Sequence, residues 1–152
     1  MRDHRSKTDS QHRAFFGRRS GKRLHRGQQS LFDTLLPDLQ VHLPETGQID
    51  PFALFTPLPE CVALEVGYGG GEHLVHQAKT NPQVGIIGAE PYINGVAMLL
   101  GKMRDAGTKN IRVHPGDARD LMDVLPAHSV AKAFLLYPDP WPKARHHKRR
   151  IL

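Results

Sequence analysis

The last sixteen residues of the chain, YPDPWPKARHHKRRIL, place a carboxylate, an aromatic ring and a run of cations side by side. Asp139 lies between two prolines, and Trp141 follows it. The prolines favour extended backbone around Asp139, which would hold its carboxylate in a set direction. Such a carboxylate can orient a polar ligand or stabilise positive charge that develops during a reaction. The segment therefore predicts a reaction site, where Trp141 either stacks on a base or caps the core.

The cations after Trp141 predict contact with a polyanion. Basic and imidazole side chains stand at Lys143, Arg145, His146, His147, Lys148, Arg149 and Arg150, with no acid among them. Lysine and arginine at this density suit the phosphates of a nucleic acid. Taken alone, the same run would also suit a solvated surface turn. Its place directly after a carboxylate and an indole favours nucleic acid.

Charge is distributed unevenly along the 152 residues, whose net charge is +6. Residues 1–30 hold nine Lys/Arg against two acids, a balance of +7, and residues 31–142 hold seven against thirteen, a balance of −6. Residues 143–152 hold five against none. Basic ends on an acidic body predict a polyanion gripped by the ends and a small cationic ligand in the middle.

Global features narrow the class of protein. Cys61 is the one cysteine, so an internal disulfide is impossible and a reducing compartment is favoured. No apolar run is long enough for a signal peptide or a membrane span. Histidine pairs such as His73 and His76 have no nearby carboxylate that completes a ligand set. We expect a soluble, cytoplasmic protein that binds no metal and no membrane, with monomer and homodimer both open.

The pattern of apolar and polar residues changes near residue 50. Residues 1–50 predict a basic arm, mobile or ordered on a partner, with a short helix at 28–36 that ends before Pro37 and a proline-rich linker. Residues 51–152 predict a folded domain. There, apolar runs alternate with helical patterns, and the runs are residues 61–66, 84–90, 111–118 and 131–137. This alternation predicts an α/β fold with a parallel sheet and helices on both faces.

A glycine-rich turn follows the first predicted strand. Glu65, Gly67, Gly69 and Gly71 stand at alternate positions. A dinucleotide fingerprint would need glycine where Glu72 stands, and no Gly-Lys-Ser/Thr of a P-loop is present. An acid before the turn repels pyrophosphate but suits an ammonium group, while bare glycine backbone lets a ligand approach closely.

Two further acids come after the next two strands. Glu90 can accept hydrogen bonds from both hydroxyls of a ribose, and Asp117 can meet the exocyclic amine of a base. The ends of parallel strands meet at one edge of a sheet, so these acids should lie near Glu65. Ammonium, ribose and adenine together describe S-adenosylmethionine. The competing interpretation is a plain tight turn with three exposed acids at loop ends.

These motifs together resemble a known family. The pattern E-x-G-x-G-x-G, an acid after the second strand, G-D-A, and P-D-P-W-x-K-x-R-H-x-K-R-R is similar to bacterial tRNA (guanine-N7)-methyltransferases of the TrmB type. The resemblance covers residues 60–152 well, and residues 16–29 are similar to the basic lead-in of these enzymes. It implies a Rossmann-like class I methyltransferase fold that forms 7-methylguanosine in the variable loop of tRNA.

The resemblance also implies roles for individual residues. S-adenosylmethionine would be bound by Glu65, Glu90, Asp117 and Asp139, around the loop with Gly67 and Gly69. Asp139 would also be the catalytic residue, Lys143 would contact the substrate, and residues 145–150 would touch RNA. N7 of guanine carries a free lone pair, so Asp139 need not act as a base. Orientation of the purine and stabilisation of its positive charge suffice.

The family's sheet has strand order 3-2-1-4-5-7-6, and four strands are visible here. We therefore expect the partial order 3-2-1-4, with an apolar edge strand. Produced alone, this chain should self-associate or be poorly stable, and be weakly active or inactive. Two alternatives remain open. One is a methyltransferase for another nucleic-acid base, and the other is a noncatalytic RNA-binding fragment, for which the acids would have no purpose.

Overall fold

Four short apolar segments form one parallel sheet in the computed structural model, which describes residues 14, 15, 17–136 and 142–150. The strands are β1 (Cys61–Val66), β2 (Val84–Ala89), β3 (Ile111–His114) and β4 (Lys132–Leu135). Their order is β3-β2-β1-β4, and every pairing is parallel. The predicted α/β class and the strand order 3-2-1-4 are both confirmed.

Helices connect the strands, as parallel pairing requires. They are α1 (Arg26–Thr34), α2 (Leu36–Leu39), α3 (Glu72–Thr80), α4 (Ile93–Ala106) and α5 (Ala118–Val124). Two 3₁₀ helices span Phe52–Leu54 and Ala144–Arg149. Helices α3, α4 and α5 each follow a strand, so each begins at the edge of the sheet where the strands end.

The sheet separates two apolar clusters, one on each face. Ala63 and Ile86 belong to the cluster formed with apolar side chains of α3 and α4. Val62, Leu64 and Ile87 belong to the other cluster, formed with α5. Successive residues of a strand point to opposite faces, and strands buried on both faces read as continuous apolar runs. This explains why β1 and β2 could be predicted from the sequence.

The segment before β1 packs on the sheet domain. Helix α1 ends at Thr34, and Pro37 lies in the first turn of α2, where proline is tolerated. A helix that ends before Pro37 is therefore confirmed, at Arg26–Thr34 rather than at 28–36, and a second short helix contains Pro37. Leu36 is buried, and the N–H of Val41 donates to the carbonyl of Val113 at 2.8 Å. The domain boundary near residue 50 stays a prediction.

The carboxyl ends of the first three strands lie level with one another. In the register, Glu65 pairs with Gly88 of β2 and with Phe134 of β4. Just beyond the strands, the N–H of Gly67 donates to the carbonyl of Ala89 at 2.8 Å, and the N–H of Glu90 to that of His114 at 3.1 Å. Residues that follow β1, β2 and β3 are thereby collected at one edge, where open α/β sheets bind ligands.

Candidate functional site

The carboxylate of Glu65 is buried at the end of β1. Only 2% of the residue is exposed, and its Oε2 lies 3.0 Å from Nδ1 of His73, near the start of α3. Burial raises the pKa of the Glu65 carboxyl above its ordinary value, and the contact with His73 partly offsets this. Burying a carboxylate is unfavourable unless it is paired, so this position is built to receive a positive or hydrogen-bonding group.

The carboxylate of Glu90 shapes the glycine loop. Its Oε2 accepts the N–H of Gly69 at 2.9 Å, and its Oε1 accepts the N–H of Tyr92 at 3.1 Å. The residue is 8% exposed, and burial raises the pKa of its carboxyl despite these two bonds. A carboxylate oxygen has a second lone pair, so Glu90 can still accept hydrogen bonds from a ligand.

The glycine loop leaves open space beside these acids. Gly67 and Gly69 have φ of 67° and 58°, values that favour glycine. A Cβ built at either position would meet no atom within 4 Å among the described residues. The loop is therefore bare on one side, and a ligand can lie directly against its backbone. This fits a small cofactor whose ammonium and ribose groups reach Glu65 and Glu90.

Tyr68, inside the glycine loop, is a residue that sequence reasoning did not select. The residue is 6% exposed, and its hydroxyl has no hydrogen-bond partner among the described residues. Burial, followed by the negative charges of Glu90 and Glu65, raises the pKa of the phenol well above its ordinary value. Tyr68 is therefore close enough to both acids for their charges to act on its phenol, while the residue belongs to the apolar cluster packed on α3 and α4. An aromatic residue between two loop glycines was the available sequence signal.

Asp117 is held differently from the other two acids. Its side chain caps the N-terminus of α5 by accepting the N–H of Arg119 at 2.9 Å. The guanidinium of Arg119 also binds both carboxylate oxygens, with Nε at 3.1 and 3.0 Å. A ligand amine would thus meet a carboxylate that is already engaged. The predicted contact of Asp117 with adenine stays a prediction, and Arg119 is a partner that sequence reasoning missed.

A basic segment lies next to this edge. Asn94, in the first turn of α4, accepts the N–H of Gly21 at 2.7 Å and donates to the carbonyl of Lys22 at 2.6 Å. The N–H of Ile93 donates to the carbonyl of Arg19 at 2.9 Å. The side chains of Arg18, Arg19, Lys22 and Arg23 are exposed. The described part of the N-terminal arm is thus held on α4, which differs from the mobile arm expected for it.

The C-terminal basic residues form a compact surface. Lys143 precedes the 3₁₀ helix Ala144–Arg149, and the exposed members of the predicted set are Lys143, Arg145, His147, Lys148 and Arg150. His146 and Arg149 are half-buried. Asp139 and Trp141 lie outside the described residues, so the roles expected for them stay predictions.

A cleft of about 630 Å³ lies elsewhere. It is lined by residues at the amino ends of strands, including Pro59, Glu60 and Gly85. Of the described acids predicted to bind the cofactor, Glu65, Glu90 and Asp117 do not line it. Since ligands of open α/β sheets bind at the carboxyl ends of strands, we place the candidate site at the glycine loop.

Comparison with known proteins shows the family. The family described as "Putative methyltransferase" matches residues 59–152, and the chain belongs to this methyltransferase family. Its Rossmann-like parallel sheet is the class I methyltransferase fold expected from the sequence.

Curated relatives carry a more specific name. A Ruegeria sp. (strain TM1040) protein is 60% identical over 144 residues, covering 92% of this chain and 56% of that protein. A Roseobacter denitrificans protein is 58% identical over 153 residues, covering 97% and 65%, and a Rhizobium meliloti protein is 48% identical over 139 residues, covering 91% and 60%. All three are named tRNA (guanine-N(7)-)-methyltransferase. The resemblance to the TrmB type is confirmed, and the alternatives receive no support.

The chain spans between 56% and 65% of the length of these three relatives. Within residues 14–15, 17–136 and 142–150, no helix is long and apolar enough to cross a membrane.

Proposed function

We propose that the protein transfers a methyl group from S-adenosylmethionine to N7 of a guanine in the variable loop of tRNA, forming 7-methylguanosine. One observation carries the proposal: the buried acids Glu65 and Glu90 flank an open glycine loop on adjacent strands. The names of relatives that are up to 60% identical support the choice of acceptor. A cytoplasmic location follows from that substrate.

The chain's own residues divide the binding of the cofactor among them. Glu65 receives the ammonium of the methionine part, and Glu90 accepts the ribose hydroxyls with the lone pairs that Gly69 and Tyr92 leave free. Gly67 and Gly69 admit the ligand against bare backbone. Asp117 serves the adenine end, held in place by Arg119. Bound S-adenosylmethionine supplies an electrophilic methyl group on a sulfonium.

Methyl transfer to guanine N7 requires correct placement of the purine and does not require a general base. N7 of guanine has a free lone pair, so no proton must leave before methyl transfer. Asp139 accepts hydrogen bonds from the N1–H and N2–H edge of guanine and stabilises the positive charge that the purine gains. Lys143 and residues 145–150 bind tRNA phosphates, which fixes the purine beside the cofactor. The exposed Arg18, Arg19 and Lys22 extend this basic surface on the side of α4.

Methyl transfer to bulk tRNA tests the proposal. The chain is incubated with tRNA and labelled S-adenosylmethionine, and the tRNA is then digested to nucleosides. We expect the label to appear in 7-methylguanosine, at the low level expected for this chain, and a further loss of at least about tenfold in Asp139→Ala, from one transition-state contact. Asp38→Ala, at an exposed acid of α2, is the matched control and should match the wild-type chain. Label in another nucleoside, or equal product from wild type and Asp139→Ala, would contradict the assignment.

A further inference from the structure

The imidazole of His73 is held in place by two neighbours on different strands. Its Nδ1 lies 3.0 Å from Oε2 of Glu65 on β1. Its ring meets the ring of Phe134 on β4 edge to face, with centroids 4.9 Å apart and planes at 69°. Glu65 and Phe134 are partners in the register of the sheet. The direction of the imidazole is therefore determined by the β1–β4 pair and by the first turn of α3.

The contact between His73 and Glu65 uses one nitrogen of the imidazole and one oxygen of the carboxylate. Among the described residues, Oε1 of Glu65 and Nε2 of His73 have no hydrogen-bond partner. Glu65 is 2% exposed, whereas the His73 side chain is 33% exposed. A buried carboxylate needs a donor or a positive charge beside it, and His73 supplies one through Nδ1–H. The second carboxylate oxygen remains for a ligand.

We propose that His73 is a positioning residue for the ammonium end of the cofactor: its Nδ1–H holds Oε2 of Glu65, and Oε1 receives the ammonium. The proposal rests on the proposed function. The imidazole acts through the carboxylate that it orients, and no covalent bond is made or broken.

The first test compares two ligands by calorimetry: S-adenosylhomocysteine, which carries the ammonium group, and 5′-methylthioadenosine, which lacks the amino-acid part. We expect His73→Phe to weaken the binding of S-adenosylhomocysteine and to leave the binding of 5′-methylthioadenosine unchanged, because His73 positions the group that receives the ammonium.

Calorimetry with variants gives a second measurement. At pH 8, His73→Asn keeps a neutral donor and should bind S-adenosylhomocysteine within about threefold of wild type, whereas His73→Phe should bind about tenfold more weakly, as expected when a bond to a charged group is lost. Equal affinity of wild type and His73→Phe for S-adenosylhomocysteine would overturn the proposal, as would an equal loss of affinity for both ligands. If wild type binds neither ligand at any pH, the proposed function falls, and the role of His73 falls with it.

Discussion

Glu65 and Glu90 are acidic residues that the fold buries at the carboxyl edge of the sheet. Both carboxyls have a pKa that burial raises above the ordinary value of glutamate. Ionisation of these two carboxyls is therefore less favourable in the folded protein than in the unfolded chain, which lowers the stability of the fold when both are charged. Stored charge of this kind is common at functional sites, because a buried charge interacts more strongly with an incoming cation.

The raised pKa of Glu65 gives a prediction about stability and pH. Between the ordinary and the raised value, the folded state binds more protons than the unfolded state, so stability falls as pH rises through that window. Above the window the full cost is present. We expect Glu65→Gln to be at least as stable as wild type at pH 8, and the difference to shrink or reverse as the pH falls below the window. Thermal melts of both proteins across this range measure it.

Glu60→Gln is the matched control for this prediction. Glu60 is an exposed glutamate at the opposite end of β1, and its substitution should leave the pH dependence of melting unchanged. A Glu65→Gln protein that melts well below wild type at pH 8 would contradict the argument.

The hydroxyl of Tyr68 leads to a second prediction at the residue scale. It is buried without a hydrogen-bond partner among the described residues, and an unsatisfied buried hydroxyl is unfavourable. Tyr68→Phe should keep the ring packing and match wild type or exceed it by up to about 1 kcal/mol in the free energy of unfolding. Denaturant melts measure this. A loss greater than about 1 kcal/mol would mean that the hydroxyl has a partner.

Among the elements, α4 and the glycine loop determine each other's position. A Cβ at Gly95 of α4 would run into the carbonyl oxygen of Gly69. The N–H of Gly69 is meanwhile bound to Glu90, just before α4 begins. The start of α4 thus determines where the glycine loop lies relative to the sheet, and therefore how much space is left for a ligand.

Gly95→Ala should therefore disturb the site, because the added methyl group would collide with the glycine loop at Gly69. The added methyl meets backbone, which cannot turn away as a side chain can, so the loop or the helix must shift. We expect a loss of about 1 to 3 kcal/mol in stability, typical of overpacking, and weaker binding of S-adenosylhomocysteine. Melting and calorimetry measure the two effects.

The same helix offers a matched control. Gly101 is also inside α4, and a Cβ there would meet one atom, Cδ1 of Leu31, at an ordinary 4.0 Å. Gly101→Ala should be stabilising by about 0.5 to 1 kcal/mol, as expected for alanine in place of a helical glycine. Equal effects of the two substitutions would show that helix propensity, not the loop contact, decides the outcome.

At the scale of the whole molecule, acidic and basic side chains lie on different parts of the protein. Acids collect at the carboxyl edge of the sheet, where a small cationic ligand is expected, while exposed basic side chains lie on residues 18–26 and 143–150. Phosphate contacts release counterions, so such surfaces bind nucleic acid in a salt-dependent way. This arrangement is what a protein needs to bring a polyanion to a small cofactor.

Salt titration of tRNA binding tests the C-terminal basic surface. If the five Lys/Arg of residues 143–150 all meet phosphates, log affinity should fall against log salt with a slope of about −3.5 to −4.5, from about −0.7 to −0.9 per contact. Lys148→Gln should make the slope shallower by one such step. Lys79→Gln, at an exposed lysine beside the opposite edge of the sheet, should not change it. A slope near zero in wild type would remove the claim that this surface binds RNA.

The edge of the sheet also belongs to this scale. Among the described residues, β4 pairs with β1 on one side only, and Leu136 just after it is 38% exposed. Such an edge favours pairing with another strand. The expectation that this chain self-associates when produced alone stays a prediction, which light scattering can check.

Sequence patterns predicted the fold well because the sheet is buried on both faces. Apolar runs identified β1 to β4, and the acids after β1, β2 and β3 were selected because parallel strands end at one edge. Prediction failed where a partner is remote or weakly patterned. The second short helix, α2, was not predicted, and nothing near residues 21 and 22 indicates that Asn94, more than seventy residues away, binds them.

The sequence by itself determined the α/β class and the candidate acids, because apolar periodicity and residue type are local properties, and the family resemblance supplied the strand order. Tertiary structure alone decided how each acid is held: Glu65 by His73, Glu90 by the amides of Gly69 and Tyr92, and Asp117 by Arg119. Hydrogen bonds have a short range and a required direction. Which partner comes within reach therefore depends on how helices dock on the sheet, and spacing along the chain does not encode it.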